Sequence, residues 1–231
     1  ALDTETGNEE WKFSKAGQYI PGGNITDSNA PFYIDNERIY FTTRDSGGSI
    51  VGKKSNFLYA LDFATGQEAW HVETIGEHDI PRPVEKEGIM YFNGGDGYFY
   101  AVDSKTGQEK WKVKTYGDLG TSLIIAQNEI YFVSYGQLRD QMPNANIQSV
   151  SLNAGEPIWS SAINMGITPL VANGDSLYYG TDNGTFYSLD LKTGRKQWEF
   201  KTKGHIFYRP AIVGGVIYFG DEAGNLIALK I

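Results

Sequence analysis

The tryptophans constrain this chain more than any other feature. There are five, Trp11, Trp70, Trp111, Trp159 and Trp198, and each lies four residues after a glycine: Gly7, Gly66, Gly107, Gly155 and Gly194. Thr precedes four of these glycines (Thr6, Thr65, Thr106, Thr193), and Ala154 takes its place in the remaining copy. A carboxylate stands four residues before four of them (Asp3, Asp62, Asp103, Asp190), with Ser151 in that same divergent copy. No tryptophan falls outside the pattern. The chain is therefore an internal repeat, with successive Trp 59, 41, 48 and 39 residues apart.

A second phrase recurs between the tryptophans: IYF at 39–41, MYF at 90–92, IYF at 130–132, LYY at 177–179 and IYF at 217–219. Aromatic and β-branched runs of this kind read as strands. Turn residues precede and follow each run (NGD before, GTDNG after, in the fourth copy). A third strand follows (FLYALD, YFYAVD, IQSVSL, TFYSLD, NLIALK), and the Thr-Gly turn leads into a fourth that carries the Trp. No stretch shows a sustained helical period. Four short antiparallel strands repeated about every forty residues make a β-propeller blade. The expected fold is all-β, a single propeller domain over 1–231 with five four-stranded blades at 14–73, 74–115, 116–161, 162–202, and 203–231 joined with 1–13. In this arrangement the N-terminal strand completes the last blade and closes the ring.

The phrase LD-x-x-TG-x-x-x-W resembles the tryptophan-docking repeat of quinoprotein-type, or pyrroloquinoline-quinone-like (PQQ-like), propellers, and the resemblance covers essentially all 231 residues. It is specific for fold and weak for activity, because one fold hosts many functions. The resemblance implies several possibilities: a dehydrogenase holding quinone and calcium in a central channel, a scaffold of outer-membrane assembly, or a sensor or cell-surface domain. Familiar members carry eight blades. The dehydrogenases place an adjacent Cys-Cys disulfide over the quinone and a Trp beneath it. This chain has no Cys, and all its Trp occupy repeat positions. Neither PQQ nor calcium is expected, and no other cofactor.

Composition narrows the partners. Zero Cys excludes disulfides, thiolate metal sites and Cys nucleophiles. A net charge of −8 with no Lys/Arg run argues against nucleic acid. No apolar run approaches the roughly 20 residues that span a bilayer, so direct membrane insertion of this domain is not expected. The opening residues, ALDTETGNEE, do not read as a signal peptide. The residues suit a monomeric domain acting outside the cytoplasm, in the periplasm, at the cell surface or secreted.

The repeated Asp3, Gly7, Trp11, Asp62, Gly66, Trp70, Asp103, Gly107, Trp111, Gly155, Trp159, Asp190, Gly194 and Trp198 read as architecture. Asp accepts turn hydrogen bonds, Gly permits positive φ, and Trp supplies apolar area. Function is sought where the copies differ. Two second-to-third-strand loops are long, 44–56 and 135–146, and in a four-stranded blade they share a face with the links between blades. The segments leading into the innermost strands place Asp27, Asn29, His78, Asp79, Arg82, Asp118, Thr121, Thr168, His205, Tyr208 and Arg209 near the channel mouth. Arg82 and Arg209 hold the same repeat position, each before a Pro. They could bind an anion bidentately, but pairing with Asp79, Asp118 or Asp27 is the favoured reading. His78, Asp79 and His205 are the residue types of a metal or acid/base site, but no HxH or HExxH spacing occurs, so no catalytic or metal residue is assigned. The leading expectation is a non-enzymatic scaffold that binds a protein, or a small anionic or carbohydrate ligand, through this face. The alternatives are a quinone-dependent or other small-molecule enzyme in the channel, and a carbohydrate-binding propeller.

Overall fold

The computed structural model describes residues 1–15, 18–19, 32–45, 55–76, 82–117, 119–136, 145–163 and 165–231. Among them there is no helix. The chain divides into two compact units, Ala1–Lys114 and Thr115–Ile231.

The first unit holds two antiparallel sheets. Sheet one comprises β1 (Gln18–Tyr19), β2 (Phe32–Ile34), β3 (Arg38–Asp45), β4 (Ser55–Asp62) and β5 (Glu68–Ile75). β1 and β2 both pair with β3, Tyr19 opposite Arg44 and Phe32 opposite Phe41, so the inner edge of this sheet is built from two pieces. Sheet two is the meander β6 (Val84–Lys86), β7 (Ile89–Asn93), β8 (Tyr98–Asp103) and β9 (Glu109–Lys114).

The second unit holds three more. Sheet three is β10 (Leu119–Ala126), β11 (Glu129–Tyr135), β12 (Ala145–Ser151) and β13 (Pro157–Ile163). Sheet four is β14 (Val171–Asn173), β15 (Ser176–Gly180), β16 (Thr185–Asp190) and β17 (Lys196–Lys201). Sheet five has three strands, β18 (Ala211–Val213), β19 (Val216–Gly220) and β20 (Leu226–Lys230), where the repeat predicts four.

Burial explains the strand sequences. The second strands are buried and so read as unbroken apolar runs: Met90, Tyr91 and Phe92 in β7, and Ile130 to Val133 in β11, are all buried. The fourth strands alternate instead, as β9 shows with charged side chains outward. One core lies between sheets one and two, where Tyr40, Leu58 and Trp70 meet Met90, Phe92 and Val102. Another joins sheets three and four through Tyr131, Ile147, Leu177 and Leu189. A third joins sheets four and five, where Phe186 and Phe219 stack with ring centroids 4.1 Å apart. Such a pair contributes roughly 0.5–1.5 kcal/mol beyond its burial.

The repeated phrase has a local and a distant role. Locally, Asp62 Oδ1 accepts from the Thr65 amide at 2.8 Å and the Thr65 hydroxyl at 2.7 Å, and the Gly66 amide donates to the Asp62 carbonyl at 2.9 Å. Asp3, Asp103 and Asp190 repeat this turn. In the divergent copy, among the described residues, Ser151 Oγ accepts only the Glu156 amide, at 3.1 Å. At a distance, each of three tryptophans sits on the turn glycine of the following copy. A Cβ added at Gly66 would fall 2.2 Å from the Trp11 ring, at Gly107 2.8 Å from Trp70, and at Gly194 2.5 Å from Trp159. Trp70 Nε1 donates to the Ser104 carbonyl at 3.0 Å, and Trp159 Nε1 to the Leu191 carbonyl at 2.9 Å. Gly is required twice over, because these turns have φ of +66° to +73° and the absent side chain is the seat of an indole.

The pairing register is equally regular. Trp70, Trp111, Trp159 and Trp198 stand opposite Ala60, Ala101, Ser149 and Ser188, and each pairing is followed by a bulge. A small residue opposite the indole lets the bulged strand carry the ring toward the neighbouring blade.

Candidate functional site

The chain-reversing elements converge where the repeat predicts. In the second unit, the turn 181–184 between β15 and β16, the turn 221–225 between β19 and β20, and the link from β17 to β18 meet on one face. Thr202 Oγ1 donates to the Gly184 carbonyl at 2.9 Å and the Gly204 carbonyl at 2.6 Å, and the Glu222 amide donates to the His205 carbonyl at 3.0 Å. Between them lies a polar recess of about 320 Å³ lined by Asn183, Lys203, Gly204, His205, Glu222 and Ala223.

A glycine in each described link makes this convergence possible. A Cβ at Gly76 would lie 1.8 Å from the Gly95 carbonyl oxygen, at Gly117 1.9 Å from the Tyr135 oxygen, at Gly166 2.8 Å from Asp182, and at Gly204 2.6 Å from the Ala223 nitrogen. Each link therefore runs against the second-to-third turn of the next sheet with no room for a side chain. The sequence carries the signal, since glycine follows Trp11, Trp70, Trp111 and Trp198 by six residues and Trp159 by seven. Because the glycine that precedes each Trp belongs to the conspicuous phrase, this second glycine is easily missed in the sequence.

The candidate side chains fall into three groups. Asp27, Asn29, His78, Asp79 and Asp118, with loop residues 46–54 and 137–144, lie outside the described residues. Thr121 lies in β10. Thr168 is buried, and its hydroxyl accepts from the Gly180 amide at 2.9 Å and donates to the Pro169 carbonyl, so it is engaged within the sheet. Arg82, in the first unit, is exposed beside a buried Pro83.

The last group, His205, Tyr208 and Arg209, is brought together in the second unit. All three are exposed, Tyr208 by 77%, while Ile206 between them is 1% exposed and packs with Tyr178, Phe186 and Phe219. The Ile206 amide also donates to the Thr181 carbonyl at 3.1 Å. Gly180 is glycine because a Cβ there would lie 2.4 Å from the Ile206 side chain. Buried Ile206 and Pro210 thus anchor a link on which His205, Phe207, Tyr208 and Arg209 face water. His205 stacks on exposed Phe207 with centroids 5.6 Å apart, and its Nε2 stands 3.9 Å from Glu222. The Asn225 amide groups, side chain first, hold the Asp221 carboxyl below the usual carboxylate range, so the rim keeps its negative charge.

Among the described residues no group of three or more His, Asp or Glu is gathered as a metal would need. The indoles of Trp11, Trp70 and Trp159 are seated on turn glycines.

Comparison with known proteins places this geometry. The family profile for outer membrane protein assembly factor BamB matches residues 53–142 and 143–231. The outer membrane protein assembly factor BamB of Yersinia pestis is 25% identical over 246 residues, covering 100% of this chain and 58% of that protein. The Moranella endobia protein of the same name is 25% identical over 251 residues, with 99% and 58% covered. The chain thus spans rather more than half the length of these relatives. Among solved structures, BamB from Moraxella catarrhalis superposes with a TM-score of 0.70 at 17% identity, covering 100% of this chain and 66% of that one. Quinohemoprotein alcohol dehydrogenase from Comamonas testosteroni superposes with a TM-score of 0.61 at 15% identity, covering 86% and 40%. Both likenesses show the β-propeller fold. The docking repeat, the sheet order and the profile match agree: the chain belongs to the PQQ-like propeller family in its BamB branch.

Proposed function

We propose that this chain is a non-enzymatic binding scaffold that works outside the cytoplasm in the assembly of envelope proteins, and that its partner is a protein. The relatives supply the role, since those reported above carry the name outer membrane protein assembly factor. The observation that carries the reading is the anchored link at 204–210. Tyr208 and Arg209 are the residue types that dominate protein interfaces, and here they stand exposed on a backbone held by buried Ile206. A pre-ordered patch loses little entropy on binding. Arg82 and the two long loops extend the same proposal to the other links and turns of the repeat.

A photo-crosslinking residue at position 208, in envelope preparations, tests the reading. The expected outcome is a discrete protein adduct at 208 and none at Lys192, an exposed position beside a Thr-Gly turn. Equal yields at both positions, or no protein adduct at 208, refute it.

We also infer that residues 1–13 complete the fifth sheet, so that 1–231 forms one five-bladed propeller domain. The constant register supports this. Ala228 occupies the position of Ala60 and Ala101, so a closing strand in the same register would set Trp11 opposite Ala228 and Lys12 opposite Ile227. The seat at Gly7, at φ +73° with nothing within 4 Å of an added Cβ, then receives the Trp of the preceding blade. Lys12→Cys with Ile227→Cys in this cysteine-free chain should oxidise to an intramolecular disulfide. Intermolecular cross-links alone, or none, refute closure.

A further inference from the structure

The free edges of the blades are not alike. A fourth strand pairs on one side only and presents unpaired N–H and C=O groups on the other, which natural proteins blunt with charge. β9 carries Glu109, Lys110, Lys112 and Lys114, and Lys112 lies 5.6 and 5.5 Å over the Tyr98 and Tyr100 rings. β17 carries Lys196, Glu199 and Lys201, with Lys196 and Glu199 paired at 2.8 Å. β5 carries Glu68 and Glu73, and Glu68 is paired with Lys15 at 2.8 Å. β13 has the sequence PIWSSAI and no charge over seven residues. Its partner β12, ANIQSVS, has none either.

Among the described residues β13 pairs with β12 alone. Ile158 is the bulged residue and is 45% exposed, while Ser160 and Ala162 beyond it are small and exposed. Pro157, which has no N–H to offer, stands at the first position and leaves the rest of the edge intact. The edge is neutral, about 20 Å long at 3.3 Å per residue, and lined by side chains too short to fend off a neighbour.

We propose that β13 is a strand-acceptor edge that takes an extended segment of another polypeptide by β-addition. The segment is neutral over its central residues, bears β-branched side chains in alternation to lie against Ser160 and Ala162, and has neutral or basic flanks. Charge selects this occupant over a second copy of the chain. Each copy carries −8, which sets copies against one another, and Glu156, exposed just before the strand, favours a basic flank. Main-chain bonds supply the affinity in this mode and alternate side chains the selectivity. The proposal uses a surface other than the 204–210 link and stands or falls separately from it.

The test uses the full chain and a fluorescent decapeptide of alternating Thr and Val with a Lys at each end. Binding is read by anisotropy, and amide exchange is read on the protein. The expected result is slowed exchange in β13, binding weakened at least tenfold by Ser160→Lys with Ala162→Lys, and binding within twofold of the parent for Gln197→Lys on β17. The β13 variant should keep the parent's circular dichroism and its crosslink at position 208. Unaltered exchange in β13, equal binding by both variants, or slowing confined to β20 overturns the proposal. So does a parent chain that dimerises and becomes monomeric with the two lysines, since the occupant would then be a second copy. The exchange measurement on the parent decides the matter even if the variant fails to fold.

Discussion

Replacing Gly107 with Ala should be far more damaging than replacing Gly88 with Ala, although both glycines lie in turns of sheet two and both have positive φ, +73° and +80°. The conformational cost is common to the two. An L-residue in the left-handed region loses about 1–2 kcal/mol. At Gly88 nothing lies within 4 Å of an added Cβ, so that cost is the whole effect. At Gly107 the methyl would stand 2.8 Å from Cδ2 of Trp70 and 2.9 Å from Cε3, against the roughly 3.5–4.0 Å that carbon atoms prefer. The indole or the turn must move by most of an ångström. Trp70 is 9% exposed and holds the Ser104 carbonyl at 3.0 Å, so movement loosens the core between sheets one and two and strains that bond. Overpacking of this kind adds about 1–3 kcal/mol. The total for Gly107→Ala is about 2–5 kcal/mol, and the difference between the two variants about 2 kcal/mol. Urea denaturation of both, with slopes checked for equality, measures it. If the two variants lose stability within about 0.5 kcal/mol of each other, the glycine is needed only for its backbone angle, and the account of the Trp seat is wrong.

Other outcomes follow from the same geometry. Ser151→Asp with Ala154→Thr restores the hydrogen bonds of the other four turns and should raise the unfolding midpoint, by about 0.5–1.5 kcal/mol in denaturant titrations. Glu87 holds φ +55°, so Glu87→Asn should stabilise by about 1 kcal/mol, seen as a higher Tm. Ile206→Ala leaves a cavity beneath the link and should cost about 2–5 kcal/mol, with faster amide exchange across 204–210 as the specific sign. In Asp3, Asp62 and Asp190 the Thr hydroxyl, then the turn amide, holds the carboxyl below its ordinary value. A depressed folded pKa means that the unfolded chain binds the proton first. Their contribution is therefore fully present above about pH 4 and lost as pH falls through the folded values, which a pH series of melting curves will show as a drop confined to the acid side.

The second strands are legible in this sequence because burial leaves an apolar run at 39–41, 90–92, 130–132, 177–179 and 217–219, and only in the last does an exposed residue, Tyr218, interrupt it. The Trp contact is not legible in the same way. Gly and Trp are four residues apart within a copy, yet Trp11 sits on Gly66 and Trp70 on Gly107, across the join between copies. A spacing counted along the chain reports the hairpin, whereas the docking partner follows from how blades stack. The site was harder still. Thr168 and Tyr208 belong to corresponding link segments, but one is buried with its hydroxyl engaged and the other is 77% exposed. Which residue of a link points inward depends on where its anchor, here Ile206, meets the core, and that is a matter of three-dimensional packing.

The two glycine positions of the repeat divide the labour between architecture and recognition. The turn glycine that precedes each Trp admits an indole, so the surrounding side chains are committed to stacking, and their identities recur. The link glycines Gly76, Gly117 and Gly204 admit backbone, as Gly204 does against Glu222 and Ala223, while Gly166 faces the Asp182 side chain. A backbone seat constrains no neighbouring side chain. The residues after Gly76, Gly117, Gly166 and Gly204 are accordingly unlike one another, Glu77, Asp118, Ile167 and His205. A position held by main-chain fit with a freely chosen side chain beside it is the condition under which a repeat fold can present a specific surface without altering its frame. The proposed binding surface follows this division: it lies beside the second glycine, as Tyr208 and Arg209 lie beside Gly204, and not at the conspicuous tryptophan phrase.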